Sequence, residues 1–172
     1  MGIREVIEIM NRMQSDGVID RYAIGGAVGA TFYLEPAATL DVDVFVEFRA
    51  EPGATIVTPE AIFQYLRAQG CLLEGDYVIV AGWPVQFLPP GNALGKEALA
   101  EAVQKDVDGT PARVFTAEHL AAIALQTGRA KDKARLLHFL EADVLDSALF
   151  REIISRHALT SQWQQFERQF LE

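Results

Sequence analysis

The sequence predicts an α+β chain: a small mixed β-sheet core with helices on one side, followed by a helical C-terminal part. Three observations carry this. Short apolar runs with alternating character fall between helical patterns over the first two thirds of the chain. From Thr116 onward the spacing is helical to the end, interrupted only near Gly128, Asp146 and Thr160. Half of the 172 residues are hydrophobic, ample for a real core, with no repeats and no low-complexity segment. The expected division is a core over 1–115 and a helical part over 116–172 packed on it.

The elements follow in order. Ile3, Val6, Ile7, Met10 and Met13 keep helical spacing, and Asp16-Gly17 closes that helix. "RYAI" (21–24) reads as a strand running into Gly25-Gly26, and "AVGATFYL" (27–34) as a helix stopped before Pro36. Residues 40–48 form the next strand, followed by a loop, "RAEPGATIV". Thr58-Pro59-Glu60 reads as a helix start: N-cap, proline in the first turn, then an acid at the positive end of the dipole. "CLLEGDYVIVAGWPVQFLPP" gives two or three strands with turns near Gly75-Asp76 and Gly82-Trp83. Asn92 caps a helix over about 93–104, and "ARVF" (112–115) is a short strand.

Charge and cysteine content narrow the function classes. The net charge of −9 argues against general DNA binding, which needs a basic surface to displace counterions. The basic residues are nevertheless concentrated: "GRAKDKAR" holds Arg129, Lys131, Lys133 and Arg135, a patch suited to a small anionic ligand. The lone Cys71 allows no internal disulfide and no cysteine-rich zinc site, and points to a reducing, cytoplasmic setting. "MGIREVIEIMNRM" has charges scattered through it, so neither a signal peptide nor a membrane span is expected there.

The chemistry is concentrated in "TLDVDVFV", residues 39–46. In a strand, Val42, Val44 and Val46 face one way while Asp41, Asp43 and Phe45 face the other. Two carboxylates side by side repel, and buried without a partner each costs several kcal/mol in order of magnitude. An edge strand with solvated carboxylates is one way out. A bound cation is the other. Upstream, Gly25-Gly26 lets the backbone turn sharply and leaves room for a phosphate, while the next helix offers its first N–H groups. A phosphate-holding turn followed by two same-face carboxylates describes a magnesium–nucleotide site, with Mg²⁺ (or Mn²⁺) on Asp41 and Asp43.

These residues carry a resemblance. "IGGAVGATFYLEPAATLDVDVFV" resembles the signature of the polymerase-β-like nucleotidyltransferase superfamily: Gly-Gly or Gly-Ser, a helix, then Asp-x-Asp among apolar residues. "AEHLAAIALQTGRAKDKARLLHFLE" resembles the later Gly-Arg-x-x-Asp motif of small bacterial nucleotidyltransferases related to the AbiEii and AbiGii toxins of toxin–antitoxin pairs. The resemblance spans roughly residues 20–141 and makes 1–115 a nucleotidyltransferase core. It implies transfer of an NMP from an NTP, such as ATP, to a hydroxyl, with release of pyrophosphate. By the same resemblance, Asp41 and Asp43 are the catalytic metal ligands, and Gly25 and Gly26 the phosphate turn. Thr39 is the small hydroxyl residue before the aspartates, and Arg129, Lys131 and Asp132 contact the nucleotide or brace the site.

Two departures accompany it. The superfamily commonly has a third carboxylate on a neighbouring strand, where "PVQFLPP" presents Gln86. An amide oxygen touches a metal weakly and accepts no proton at neutral pH. Glu74 or Asp76 could substitute from a turn. Relatives also often carry a lysine ahead of the Gly-Arg turn, where Ala124 stands. The rival reading is therefore a nucleotide-binding or regulatory protein of the same fold without turnover. A haloacid-dehalogenase-type phosphatase also uses Asp-x-Asp, but Phe45 stands where its threonine belongs. The acceptor stays open between a protein, tRNA and a small molecule, and no membrane partner is expected. His119 and His138 read as packing or surface residues, Trp83 as hairpin packing. Trp163, Phe166 and Phe170 are expected to dock the last helix onto the body or onto a second copy in a homodimer.

Overall fold

The computed structural model describes residues 2–36, 38–39, 41–48 and 58–172. Helix α1 (Ile3–Ser15) leads into strand β1 (Ile19–Ile24), a short helix α2 (Gly26–Ala30) and strand β2 (Val42–Phe48). Then come α3 (Glu60–Ala68), β3 (Leu72–Glu74), β4 (Tyr77–Val80), β5 (Trp83–Leu88), α4 (Ala93–Ala100), β6 (Val103–Val107) and β7 (Thr110–Val114). Four helices finish the chain: α5 (Ala117–Thr127), α6 (Ala130–Glu141), α7 (Ser147–Arg156) and α8 (Thr160–Phe170). One sheet holds the described strands in the order β3-β4-β5-β2-β1-β7-β6. It is mixed, with β2–β5 and β1–β7 parallel and the other neighbours antiparallel.

The alternation of β2 decides how the sheet is used. Val42, Val44 and Val46 are fully buried on one face, against Met10 and Met13 of α1, Ile62 and Leu66 of α3, and Tyr22 and Ile24 of β1. Phe45 and its cross-strand partner Ala23 lie on the other face, where α4 and the C-terminal helices build a second core around Phe115, Leu120, Phe139 and Phe150. Each such apolar side chain contributes on the order of 1.5–3 kcal/mol when taken from water. Asp43 shares the second face with Phe45, and β2 lies between β5 and β1. The solvated-edge explanation of Asp-x-Asp is therefore overturned.

Several boundaries shift for local reasons. The helix expected over 93–104 stops at Ala100, and residues from Val103 pair as β6 with β7. The turn is Asp108-Gly109, both at positive φ, the Asp-Gly signal of a tight hairpin. Pro111 obscured it, yet it pairs only with Asp106 near the turn, and β1 meets β7 at Val114. Helix α2 ends at Ala30, and turns carry the chain on to Leu34. Helix α3 starts at Glu60 with Pro59, not Thr58, in the cap position. Asn92, Thr116 and Asp146 cap their helices through their side chains, and left-handed Gly128 ends α5. Leu40 and the expected loop over 49–57 lie outside the described residues. Cys71 is half-buried, and that burial pushes its thiol up.

Trp163 and Phe166 of the last helix pack within the chain, whereas Phe170 is exposed. Trp163 meets Phe150 of α7 edge-on at 5.2 Å and stacks on Phe166 at 5.8 Å. A polar hub joins the helices: Glu97 of α4 accepts from Arg156 at 2.7 and 3.1 Å, and bonds His119 at 3.0 Å and His157 at 2.6 Å. Arg156 first, then the two histidines, hold the Glu97 carboxyl down at about 2, below its ordinary 4.5. A depressed carboxyl stabilises the fold above its unfolded value and loses that contribution as it protonates. Glu97→Gln is expected to cost about 1–3 kcal/mol at neutral pH. In urea unfolding, the gap to the parent should close as the pH falls from 4.5 towards 2. A gap that does not change with pH would contradict this account of the hub.

Candidate active site

The end of β1 and the start of β2 lie side by side because the two strands are antiparallel, with Ile24 opposite Val44. The Gly25 N–H donates to the Asp43 carbonyl at 3.0 Å, which fastens the Gly-Gly turn against the aspartate. A Cβ on Gly25 would stand 2.7 Å from the Phe45 ring. Gly26 has φ +56, and a Cβ there would fall inside the Asp43 carboxylate. Two glycines are thus required by packing as well as by the turn. The first-turn N–H groups of Gly26, Ala27 and Val28 have no partner within α2 by helix geometry.

Parallel pairing of β2 with β5 sets Gln86 directly beside Asp43. The sheet order β4-β5-β2 then brings Tyr77, at the start of β4, within reach of Asp41. Its hydroxyl donates to Asp41 Oδ2 at 3.4 Å. From the other side comes the first half of α6. Arg129 Nε donates to Asp132 Oδ2 at 2.6 Å, and Arg135 stands 3.7 Å from Asp132 Oδ1. Asp132 is 2% exposed, so its charge is buried against two guanidiniums, which it holds in place.

These elements enclose a cleft of about 720 Å³. Of the residues expected to form a site, Gly26, Thr39, Asp41, Asp43, Gln86, Arg129 and Lys131 line it. Gly25 stands behind it, against Phe45 and Phe115. Ala124 also faces the cleft, and the cations nearby come from α6. Glu74 and Asp76 lie at the β3–β4 turn and are not among the lining residues. Sequence reasoning missed Tyr77 and His138 as cleft residues, and had Arg135 only as a member of the basic patch. Lys131, Arg135 and His138 share the i, i+4, i+7 face of α6, a signal that was available; Tyr77 had none, since only the strand order brings it there. His119 belongs to the Glu97 hub instead, and Trp83 packs under the sheet with the α1–α3 core.

Burial pushes the Asp43 carboxyl above its ordinary 3.8, and the neighbouring Asp41 charge pushes it further; Lys131, Arg135 and Arg129 offset this in part. None of these cations forms an ion pair with Asp41 or Asp43 among the described residues. Among the described residues the two carboxylates thus have no ion-pair partner, a condition that a bound cation would relieve. The described residues contain no cluster of three or more His, Cys, Asp or Glu able to cage a metal. Two carboxylates and an amide oxygen suit a hard cation that keeps its waters and takes phosphate oxygens. The donor set fits Mg²⁺ or Mn²⁺ bound together with a phosphate ligand.

Comparison with known proteins gives the class of fold. No protein-family model and no curated protein matches the chain. Solved structures do. The chain is similar to an antigenic nucleotidyltransferase-like protein from Paracoccidioides brasiliensis at TM-score 0.59 and 15% identity, over 94% of this chain and 92% of that one. It is also similar to ANT(2'')-Ia in complex with adenylyl-2''-tobramycin, at TM-score 0.55 and 16% identity, over 93% and 98% of the two chains. A solution structure of the antibiotic-resistance factor ANT(2'')-Ia matches at TM-score 0.53 and 15% identity, over 96% and 95%. The fold is nucleotidyltransferase-like. No described helix is long and apolar enough to cross a membrane.

The turn against Asp43 yields a direct test. Gly26→Ala should lose about 1–3 kcal/mol through its positive φ, and more through the clash. Adding Asp43→Ala should recover the clash portion, so the two costs should be strongly non-additive in urea unfolding. Additive costs would show that the turn does not press on the carboxylate.

Proposed function

We propose that the chain moves a nucleoside monophosphate from an NTP to a hydroxyl acceptor, releasing pyrophosphate, in the cleft between β2 and α6. The observation that carries this reading is the Asp41–Asp43 pair, without an ion-pair partner among the described residues, set against the Gly25-Gly26 turn and sharing the cleft with the α6 cations. Asp41 and Asp43 hold Mg²⁺ or Mn²⁺, which when bound supplies Lewis-acid polarisation of the α-phosphate and charge neutralisation. Gly26 and the first turn of α2 receive phosphate oxygens through backbone N–H groups. Lys131 and Arg129 neutralise the triphosphate from across the cleft, with Asp132 bracing Arg129. Leu34, Phe45, Leu120 and Ile123 supply an apolar wall against which a nucleobase can lie. Thr39 donates to the Asp41 carbonyl at 3.1 Å and so supports the backbone ahead of β2.

The solved ANT(2'')-Ia complex holds an adenylyl group joined to tobramycin, a small molecule. By analogy, and with a net charge of −9, a small molecule or a protein hydroxyl suits this chain better than RNA. The left-handed Gly128 and the Arg129–Asp132 bond support the narrower likeness to AbiEii-related nucleotidyltransferases. A second reading rests on Gln86. It stands beside Asp43 where a third carboxylate would serve as base, which favours nucleotide binding without turnover.

The test is incubation with Mn²⁺ or Mg²⁺ and each labelled NTP, following binding and pyrophosphate release, alongside Asp41→Asn/Asp43→Asn. Metal-dependent release lost in the variant is the expected result. Binding without release, across a panel of acceptors, would transfer the case to the second reading. Absence of binding in both proteins would sink the nucleotide assignment. Because the Asp43 carboxyl is raised, its proton competes with the cation at a higher pH than for an ordinary aspartate. NTP affinity should therefore weaken on mild acidification, before the range where a free aspartate titrates; an affinity flat down to that range would contradict the assignment.

A further inference from the structure

We propose that Tyr77 is an acceptor in this chain's own reaction, so that the protein nucleotidylylates itself at that phenol. The inference rests on the nucleotidyl-transfer reading above and specifies one acceptor for the same site.

An acceptor must present a hydroxyl beside the paired aspartates, with somewhere for its proton to go. Among the described residues, four with hydroxyls line the cleft: Thr31, Thr39, Tyr77 and Thr127. Three are committed to main-chain carbonyls, which accept no proton: Thr31 to Val28, Thr39 to Asp41 and Thr127 to Ile123. Tyr77 alone among them donates to a carboxylate, Asp41 Oδ2 at 3.4 Å. Gln86 cannot take a proton, so this contact provides a route that the neighbouring strand does not. The choice among tyrosines is equally sharp. Tyr22 is buried and bonded to Asn11, Tyr33 donates to the Phe115 carbonyl, and Tyr65 donates to Asp16 from α3. Tyr77 is half-exposed, opens β4 directly after the Gly75-Asp76 turn, and lines the cleft.

The step balances without a further reactant. A bond forms between Tyr77 Oη and the α-phosphorus, and the bond from that phosphorus to the bridging oxygen of the leaving pyrophosphate breaks. The phenolic proton is lost to water along the hydrogen bond to Asp41 Oδ2. The products are a tyrosyl nucleoside monophosphate and pyrophosphate.

The experiment is intact-mass measurement and peptide mapping of the full chain after incubation with Mn²⁺ or Mg²⁺ and each NTP. The expected result is a gain of one nucleoside monophosphate, mapped to Tyr77. It should be absent from Asp41→Asn/Asp43→Asn and from Tyr77→Phe, and undiminished in Tyr65→Phe. Metal-dependent NTP binding or pyrophosphate release with no covalent adduct would overturn the inference and leave the transfer reading standing. So would an adduct mapped to another residue, or one retained by Tyr77→Phe. Loss of metal-dependent NTP binding altogether would remove the transfer reading, and this inference with it.

Discussion

The 3.0 Å hydrogen bond from the Gly25 N–H to the Asp43 carbonyl is the constraint on which the cleft depends. It joins the end of β1 to the start of β2 and leaves no room for a side chain at Gly26. A phosphate-sized ligand and a cation can then meet the same few ångströms of backbone. The rest of the sheet keeps that junction in place. Val42, Val44 and Val46 fix the face of β2 by burial on α1 and α3, so a one-residue slip would drive both aspartates into an apolar core.

The opposite wall is positive for a reason that is equally local. Gly128 ends α5 in a left-handed turn, Arg129 caps α6, and the buried Asp132 ties Arg129 and Arg135 together. Ala124 leaves α5 without a cation at the cleft, so Lys131 and the arginines of α6 face Asp43 instead. The cleft is thus polarised between a carboxylate pair on the sheet and a basic helix face. That polarity suits an anionic ligand carrying its own divalent cation. The helices that hold α5 in position are tied through Glu97, which joins α4, α5 and α7 at a single carboxylate.

Much of this was legible in the sequence because it is local. The alternation in "TLDVDVFV", the Gly-Gly turn and the Gly-Arg turn each depend on neighbours a few residues away; the alternation holds from Val42 onward, where β2 begins, and Asp41 stands just ahead of the strand. Gln86 was marked in advance only through the family resemblance, and the parallel pairing of β2 with β5 is what sets it beside Asp43. What the sequence hid depends on long-range order. Tyr77 reaches Asp41 through the arrangement β4-β5-β2, which no local pattern encodes. The Glu97 hub joins residues about sixty positions apart in the chain. The β6–β7 hairpin was concealed by a helical-looking run before it and by Pro111, although Asp108-Gly109 announced it.

The central claim is that Asp41 and Asp43 bind a divalent cation together with a nucleoside triphosphate. Its most direct test is a Mn²⁺ titration read by electron paramagnetic resonance, with and without NTP, on the parent chain and on Asp43→Asn. The account predicts Mn²⁺ binding that NTP strengthens in the parent and that the variant loses. Equal binding by the two proteins, or binding indifferent to NTP, would contradict it.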